Sequence, residues 1–279
     1  MPAVSTSQRT YRYLRLALAG APVAILVALV LALPDAGALP SVSHYFYTSA
    51  RTVFTAALIA AAVCLLVLSG RGPQRVLLDV AALLAPIVAI VPTPVAAGEV
   101  PGLALDCTVP CIPAPVAAEL ANAVTTYLVV GALVVVVGVA LGARGDIALS
   151  AAAPTLAVAV AVLAAVALIG ALAPAAFGRL HGIAAVAFFA LIAAVALAEV
   201  VRPSAEHPPS RRLRIAYVGI AAALPVDLLA TFLLGVVAGL PVVLIGEVIA
   251  LVLFVAFWLL QTAQKWSLAD PSLRARPSG

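Results

Sequence analysis

Apolar positions run along this chain in long blocks, and the polar stretches between them are short and carry a consistent sign. About eight blocks are long enough to cross hydrocarbon as helices: 16–33, 52–69, 76–92, 120–141, 154–174, 180–201, 214–236 and 241–262. Polar and apolar residues do not alternate within them, so the signature of a transmembrane barrel is absent. Hydrocarbon offers no partner to backbone N–H and C=O groups, which leaves helices as the way across. The run "LVVGALVVVVGVAL" reads the same way despite its valines, because β-branching lowers helix propensity only slightly. The pattern predicts an all-α, polytopic membrane helix bundle with about eight transmembrane helices and both termini cytoplasmic. Residues 1–15 are expected as a cytoplasmic N-terminal segment, 16–262 as one helical domain, and 263–279 as a disordered polar tail. A basic flank before an apolar run also describes a signal peptide. The first block is long for one and seven more follow, so an uncleaved first span is expected.

Charge supplies the orientation. With the N-terminus inside, thirteen of the fifteen basic residues fall on the cytoplasmic side, and only Arg51 and Arg179 fall outside. The hydrophobic fraction of 65% leaves no room for a separate soluble domain in 279 residues. A net charge of +4 could suggest an acidic partner. The basic residues sit at helix ends, however, where they orient the chain and meet anionic headgroups. No basic patch is interleaved with aromatics, which excludes nucleic-acid binding. One Lys against fourteen Arg, with abundant Ala and Val, has the composition of a high-GC bacterium, and the expected location is the inner (plasma) membrane.

Three cysteines occur. Cys64 lies inside the second block and reads as a small buried hydrophobe. Cys107 and Cys111, in "DCTVPC", fall in an acidic, Pro-rich connection (93–118) on the oxidising side, where a disulfide is a candidate. Their spacing has one residue too many for a C-x-x-C redox pair.

Ionisable groups inside a bilayer are costly and are functional candidates by default. The deepest are Asp227 and Glu247, each on the order of 10–15 Å from the outer turn of the last hairpin. They form either a cation, proton or substrate site, or a packing contact with one carboxylate protonated. Asp79 and Glu199 lie nearer the cytoplasm, with Arg75 and Arg202 at helical spacing to neutralise them. Near the outer leaflet, Ser43, His44, Tyr45 and Tyr47 precede Arg51, while Arg179 and His181 open the sixth block. Two Arg placed against the topological rule suggest an anionic headgroup held by forked guanidinium groups. The other reading pairs them with Glu119, Asp106 or the deep carboxylates, the tyrosines forming an interfacial belt.

His44 and His181 share a membrane level, but the third histidine, His207, lies on the opposite side. No H-x-x-x-H, H-E-x-x-H or C-x-x-C spacing is present, so no metal is expected. There is no phosphate-binding glycine loop, and no cofactor is expected. Ser43 and His44 are sequence neighbours and do not by themselves make a nucleophile pair. Gly138 with Gly142 and Gly235 with Gly239 match the small-xxx-small packing pattern.

These residues resemble a group of uncharacterised bacterial multi-pass membrane proteins. The likeness rests on Ser41, Ser43, Tyr45, Tyr47, Thr48 and Arg51, on His181 with Ala184, Ala185, Phe188 and Phe189, and on Phe257, Trp258, Gln261, Thr262 and Trp266. The His-x-x-Ala-Ala element is loosely similar to the Frag/DRAM/Sfk membrane proteins. The chain departs from the pattern at His44 and Phe46 and carries extra spans. The resemblance implies a polar site at these positions and no particular chemistry.

The working expectation is a non-enzymatic protein that binds or moves a lipid or small amphiphile through a pocket open to the outer leaflet. Its entrance would be Ser43, His44, Tyr45, Tyr47, Arg51, Arg179 and His181, and its floor Asp227 and Glu247. The alternatives are a metal-dependent intramembrane lipid hydrolase or transferase, and a scaffold or assembly factor. Membrane lipids are the expected partners; a protein partner or homo-oligomer is left open.

Overall fold

The structure is a computed structural model that describes residues 6–69, 74–105, 107–203, 208–235 and 241–267. Asp106, His207, Gly239 and residues 268–279, all weighed above, lie outside the described residues. The helices are α1 (Thr6–Ala36), α2 (Arg51–Leu68), α3 (Arg75–Ile90), α4 (Ala114–Arg144), α5 (Leu149–Leu172), α6 (Leu180–Val201), α7 (Arg211–Gly235) and α8 (Val242–Gln264). Two 3-10 helices, Val42–Tyr47 and Pro174–Arg179, precede α2 and α6. The protein is an all-α bundle, and seven of its described helices are long and apolar enough to cross a membrane. The exception is α3. Its 16 residues span about 24 Å, because Pro92 holds Val91 in extended backbone and ends the helix at Ile90. Packed between α2 and α6, it presents little surface to lipid.

Six helices close into a ring in the order α1, α2, α3, α6, α7, α8 and back to α1. The α4–α5 hairpin is inserted between α3 and α6 in sequence but leans on the ring from outside, chiefly through α5 against α3. Its two helices interlock. Leu149, Leu156 and Leu163 recur every seventh residue on α5, and each lies against a glycine of α4. A Cβ added at Gly142, Gly138 or Gly131 would come within 2.7, 3.0 and 2.6 Å of those leucines. The Gly138/Gly142 step is thus a packing seam within one hairpin.

The end of the ring where α1 begins and α8 ends is tied by charge. Glu199 of α6, only 1% exposed, accepts from Gln261 Nε2 at 2.9 Å and from Lys265 Nζ. Arg202, expected as its partner, is not. Arg202 has left helical backbone (φ −131°, ψ 62°), so a spacing of three no longer puts the two side by side. Asp79 does meet Arg75, at 3.5 Å, and also accepts from Thr155 of α5 at 2.7 Å. The helix α1 begins at Thr6, well before residue 16, and its first turns have a use. Arg12 Nε donates to Trp266 O at 2.8 Å and Arg15 Nη1 to Lys265 O at 3.3 Å, bringing cations to the carbonyl end of α8.

Candidate functional site

At the other end, the chain between α1 and α2 makes the tight 3-10 turn Val42–Tyr47. Ser41 caps it, in extended backbone with its Oγ accepting from His44 N. The turn drives Tyr45 and Phe46 into the core. Tyr45 donates to Gly37 O at 2.9 Å, and Tyr47 to Thr93 O at 2.8 Å. Burial pushes the Tyr47 phenol well above its ordinary value, so it remains a donor. The start of α8 docks on the same turn: Leu244 N donates to Pro40 O at 3.0 Å, and Glu247 Oε2 accepts from Val42 N at 2.5 Å.

Beneath this turn the ring encloses a cavity of about 520 Å³. Its walls are Ile25 of α1, Phe54, Ala57 and Ala61 of α2, Ala85 and Val88 of α3, Phe188 and Phe189 of α6, and Ala250 and Phe254 of α8. Its polar groups are Ser41, Ser43, His44, Thr93, His181, Asp227, Thr231 and Glu247. Val186 of α6 and Phe232 of α7 also line it while being 53% and 70% exposed, so the cavity reaches the bundle surface on that side.

The polar groups form an ordered chain. Thr93 Oγ1 donates to Ser43 Oγ at 2.9 Å, the Ser43 and Ser41 hydroxyls are 2.7 Å apart, and Ser41 Oγ is 2.6 Å from His44 Nδ1. His44 Nε2 lies 3.4 Å from Glu99 Oε2, which also accepts from Ala96 N at 2.7 Å. A neutral His44 with its proton on Nε2 satisfies every link: each hydroxyl donates to the next group, and the chain ends on a carboxylate. Burial lowers the His44 pKa while Glu99 opposes the shift, which keeps the ring neutral at pH 7. His181 Nδ1 is 2.7 Å from Val91 O, so that nitrogen carries a proton. Asp227 Oδ2 is shielded and has no hydrogen-bond partner among the described residues.

The order Ser41–His44–Glu99 has the residue types of a nucleophile relay. However, Ser41 Oγ is also the cap of its own 3-10 turn, accepting from His44 N at 3.3 Å and touching Ser43. That engagement makes it a structural acceptor and a poor nucleophile. Among the described residues, no three His, Cys, Asp or Glu side chains are grouped to hold a metal ion.

The arginines go elsewhere. Arg51 pairs with Glu119 of α4 and stacks 4.4 Å over the Phe46 ring, beside a separate small pocket of about 280 Å³. Arg179 ends its 3-10 helix exposed and lines neither pocket. The entrance expected from the sequence therefore keeps Ser43, His44 and His181 on the cavity and loses Arg51 and Arg179. Tyr45 and Tyr47 brace the turn from behind. The deep pair, Asp227 and Glu247, shares the cavity with the histidines. Cys107 and Cys111 are joined in a disulfide, and Cys111 makes an antiparallel bridge with Val95, which folds the 91–113 segment over the end of the ring.

Sequence reasoning passed over Thr93, Glu99 and Thr231 as site residues, and met Ser41 only through the resemblance. Glu99 carried a signal, as an acid in a connection with no basic residue. The two threonines carried none. No family model, curated protein or solved structure matches this chain.

Proposed function

We propose that this protein binds or moves a lipid or small amphiphile through the cavity inside its helix ring, in the inner membrane of a bacterium with both termini cytoplasmic. The observation that carries this reading is the shape of the cavity's polarity. An apolar volume of about 520 Å³ has hydroxyl, imidazole and carboxylate groups concentrated toward one end, and it reaches the bundle surface beside Phe232. Sites for small apolar ligands have this size and this sparse, convergent polarity. Chains fit the phenylalanine and alanine walls, and a head group fits the Ser43, His44, Glu247 end. The membership suggested by the sequence resemblance fits the same reading, because Ser41, Ser43, His181, Ala185, Phe188 and Phe189 all line this space.

The test is a filled cavity. Ala61→Phe and Ala85→Phe each place an aromatic ring in the volume from different walls. The purified protein in maltoside detergent should bind a nitroxide-labelled single-chain amphiphile, with strong immobilisation of the label. Both variants should lose that signal while retaining the wild-type elution profile. Arg51→Ala should leave it intact. Equal immobilisation in all four proteins removes the proposal.

A further inference from the structure

The ligand of an apolar cavity is selected by the polar groups that its walls leave uncommitted. The hydroxyls of Thr93, Ser43 and Ser41 all point along one chain toward His44 and Glu99, so their protons are engaged within the protein. The proton on His181 goes to Val91 O. Facing the cavity beside the Thr231 hydroxyl are two acceptor-only groups when ionised, the carboxylates of Asp227 and Glu247. Glu247 accepts from the backbone amides of Val42, at Oε2, and of Ser43, and keeps about half of its lone-pair capacity open beyond those two. Asp227 is further from satisfaction, since its Oδ2 is shielded and unpartnered among the described residues. Among the described residues, no Lys or Arg lines the cavity to answer either carboxylate. A carboxylate held in apolar surroundings is costly unless a charge or proton meets it.

The helices that carry the two acids, α7 and α8, cross tightly. Gly246, next to Glu247 on α8, lies so close to Thr231, one turn from Asp227 on α7, that a Cβ there would fall 1.9 Å from Thr231 Oγ1. Asp227, Glu247 and Phe232 all line this one cavity. Aromatic faces attract desolvated cations.

Resting on the reading above, we propose that the cavity's occupant is cationic: an amphiphile whose amine or quaternary ammonium head is held between Asp227 and Glu247, its chain lying along the phenylalanine wall. An anionic head group finds no counter-charge in this cavity, which reverses the expectation drawn from the outer arginines.

The experiment uses the full chain in maltoside detergent and single-chain probes of equal length: tetradecyltrimethylammonium, tetradecyl sulfate, tetradecanol and a lysophosphatidylethanolamine. Binding is read by displacement of the nitroxide-labelled amphiphile. The ammonium probe should displace it at a concentration at least about tenfold lower than the sulfate, the scale of one charge-assisted contact. Asp227→Asn and Glu247→Gln should each remove most of that preference while leaving tetradecanol unchanged, and Asp227→Glu should keep it. Displacement by lysophosphatidylethanolamine with the same Asp227 dependence assigns the ammonium to a lipid head group. Its failure, beside a working alkylammonium, assigns it to a free long-chain amine. Equal binding of all probes, or preference for the sulfate, overturns the cationic assignment and leaves amphiphile binding standing. No displacement by any probe overturns both.

Discussion

Lys265, at the foot of α8, reaches Glu199 near the end of α6, and the two are 14% and 1% exposed. Opposite charges brought out of water this completely hold two helices that otherwise touch only slightly. Removing one partner strands the other, which costs about 3–5 kcal/mol, whereas removing both costs much less. Lys265→Met and Glu199→Gln should each markedly lower the thermal midpoint in detergent. The double variant should recover most of the loss. If the two losses add, the charges do not act as a pair.

His44 should make stability depend on pH. Burial holds its folded-state pKa below the ordinary 6.5, against the opposing pull of Glu99. Below pH 6.5 the unfolded chain then binds more protons than the folded one. The His44 contribution is therefore complete above that value and is lost as the pH falls beneath it. Wild-type protein should lose more thermal stability between pH 7 and pH 5 than His44→Gln does. Parallel curves for the two would show that His44 is not held neutral in the fold.

The disulfide and the orientation can be read together. With Cys64 replaced by Ala, neither Cys107 nor Cys111 should alkylate before reduction, and both should afterwards, as a mass shift. In the same background an added cysteine at exposed Ala104 should react in intact cells with an impermeant maleimide, and one at Ser210 should not. Reversed labelling would invert the topology. Ready alkylation of both native cysteines in fresh membranes would disprove the bond. Closing so short a loop contributes at most about 2 kcal/mol, so the Cys107→Ser, Cys111→Ser protein should still fold.

The helices were legible because lipid forces the backbone to bond within itself, which makes hydropathy and secondary structure nearly one signal. Asp227 and Glu247 were legible for a related reason: a charge in such a block needs an explanation. Which helix neighbours which is written in no such signal. Nothing in the blocks says that α3 packs on α6 while α4 and α5 stand outside the ring. Arg51 therefore stood open between a ligand arm and a partner of Glu119, and the place of α4 decides for Glu119. The Glu199 pairing failed on backbone grounds, since spacing rules hold only while the chain remains helical. Thr93 was hidden in a Pro-rich connection without a period, and Glu99 showed there only as an acid with no basic neighbour.

At the crossing of α7 and α8 the packing leaves no room for a side chain on Gly246. A methyl group at Gly246 meets three atoms of Thr231, with Oγ1 at 1.9 Å, Cβ at 3.0 Å and Cγ2 at 3.1 Å. Rotating the threonine about χ1 moves Oγ1 but leaves Cβ in place and brings another branch toward the new methyl, so the helices themselves must part. Overpacking of this kind costs about 1–3 kcal/mol. Gly246→Ala should lower the thermal midpoint and also weaken the ammonium preference, because separating the helices moves Glu247 away from Asp227. Thr231→Gly added to Gly246→Ala restores the missing space and should recover both properties together. Recovery of stability without recovery of the preference would show that the spacing of the two carboxylates does not set the head-group choice.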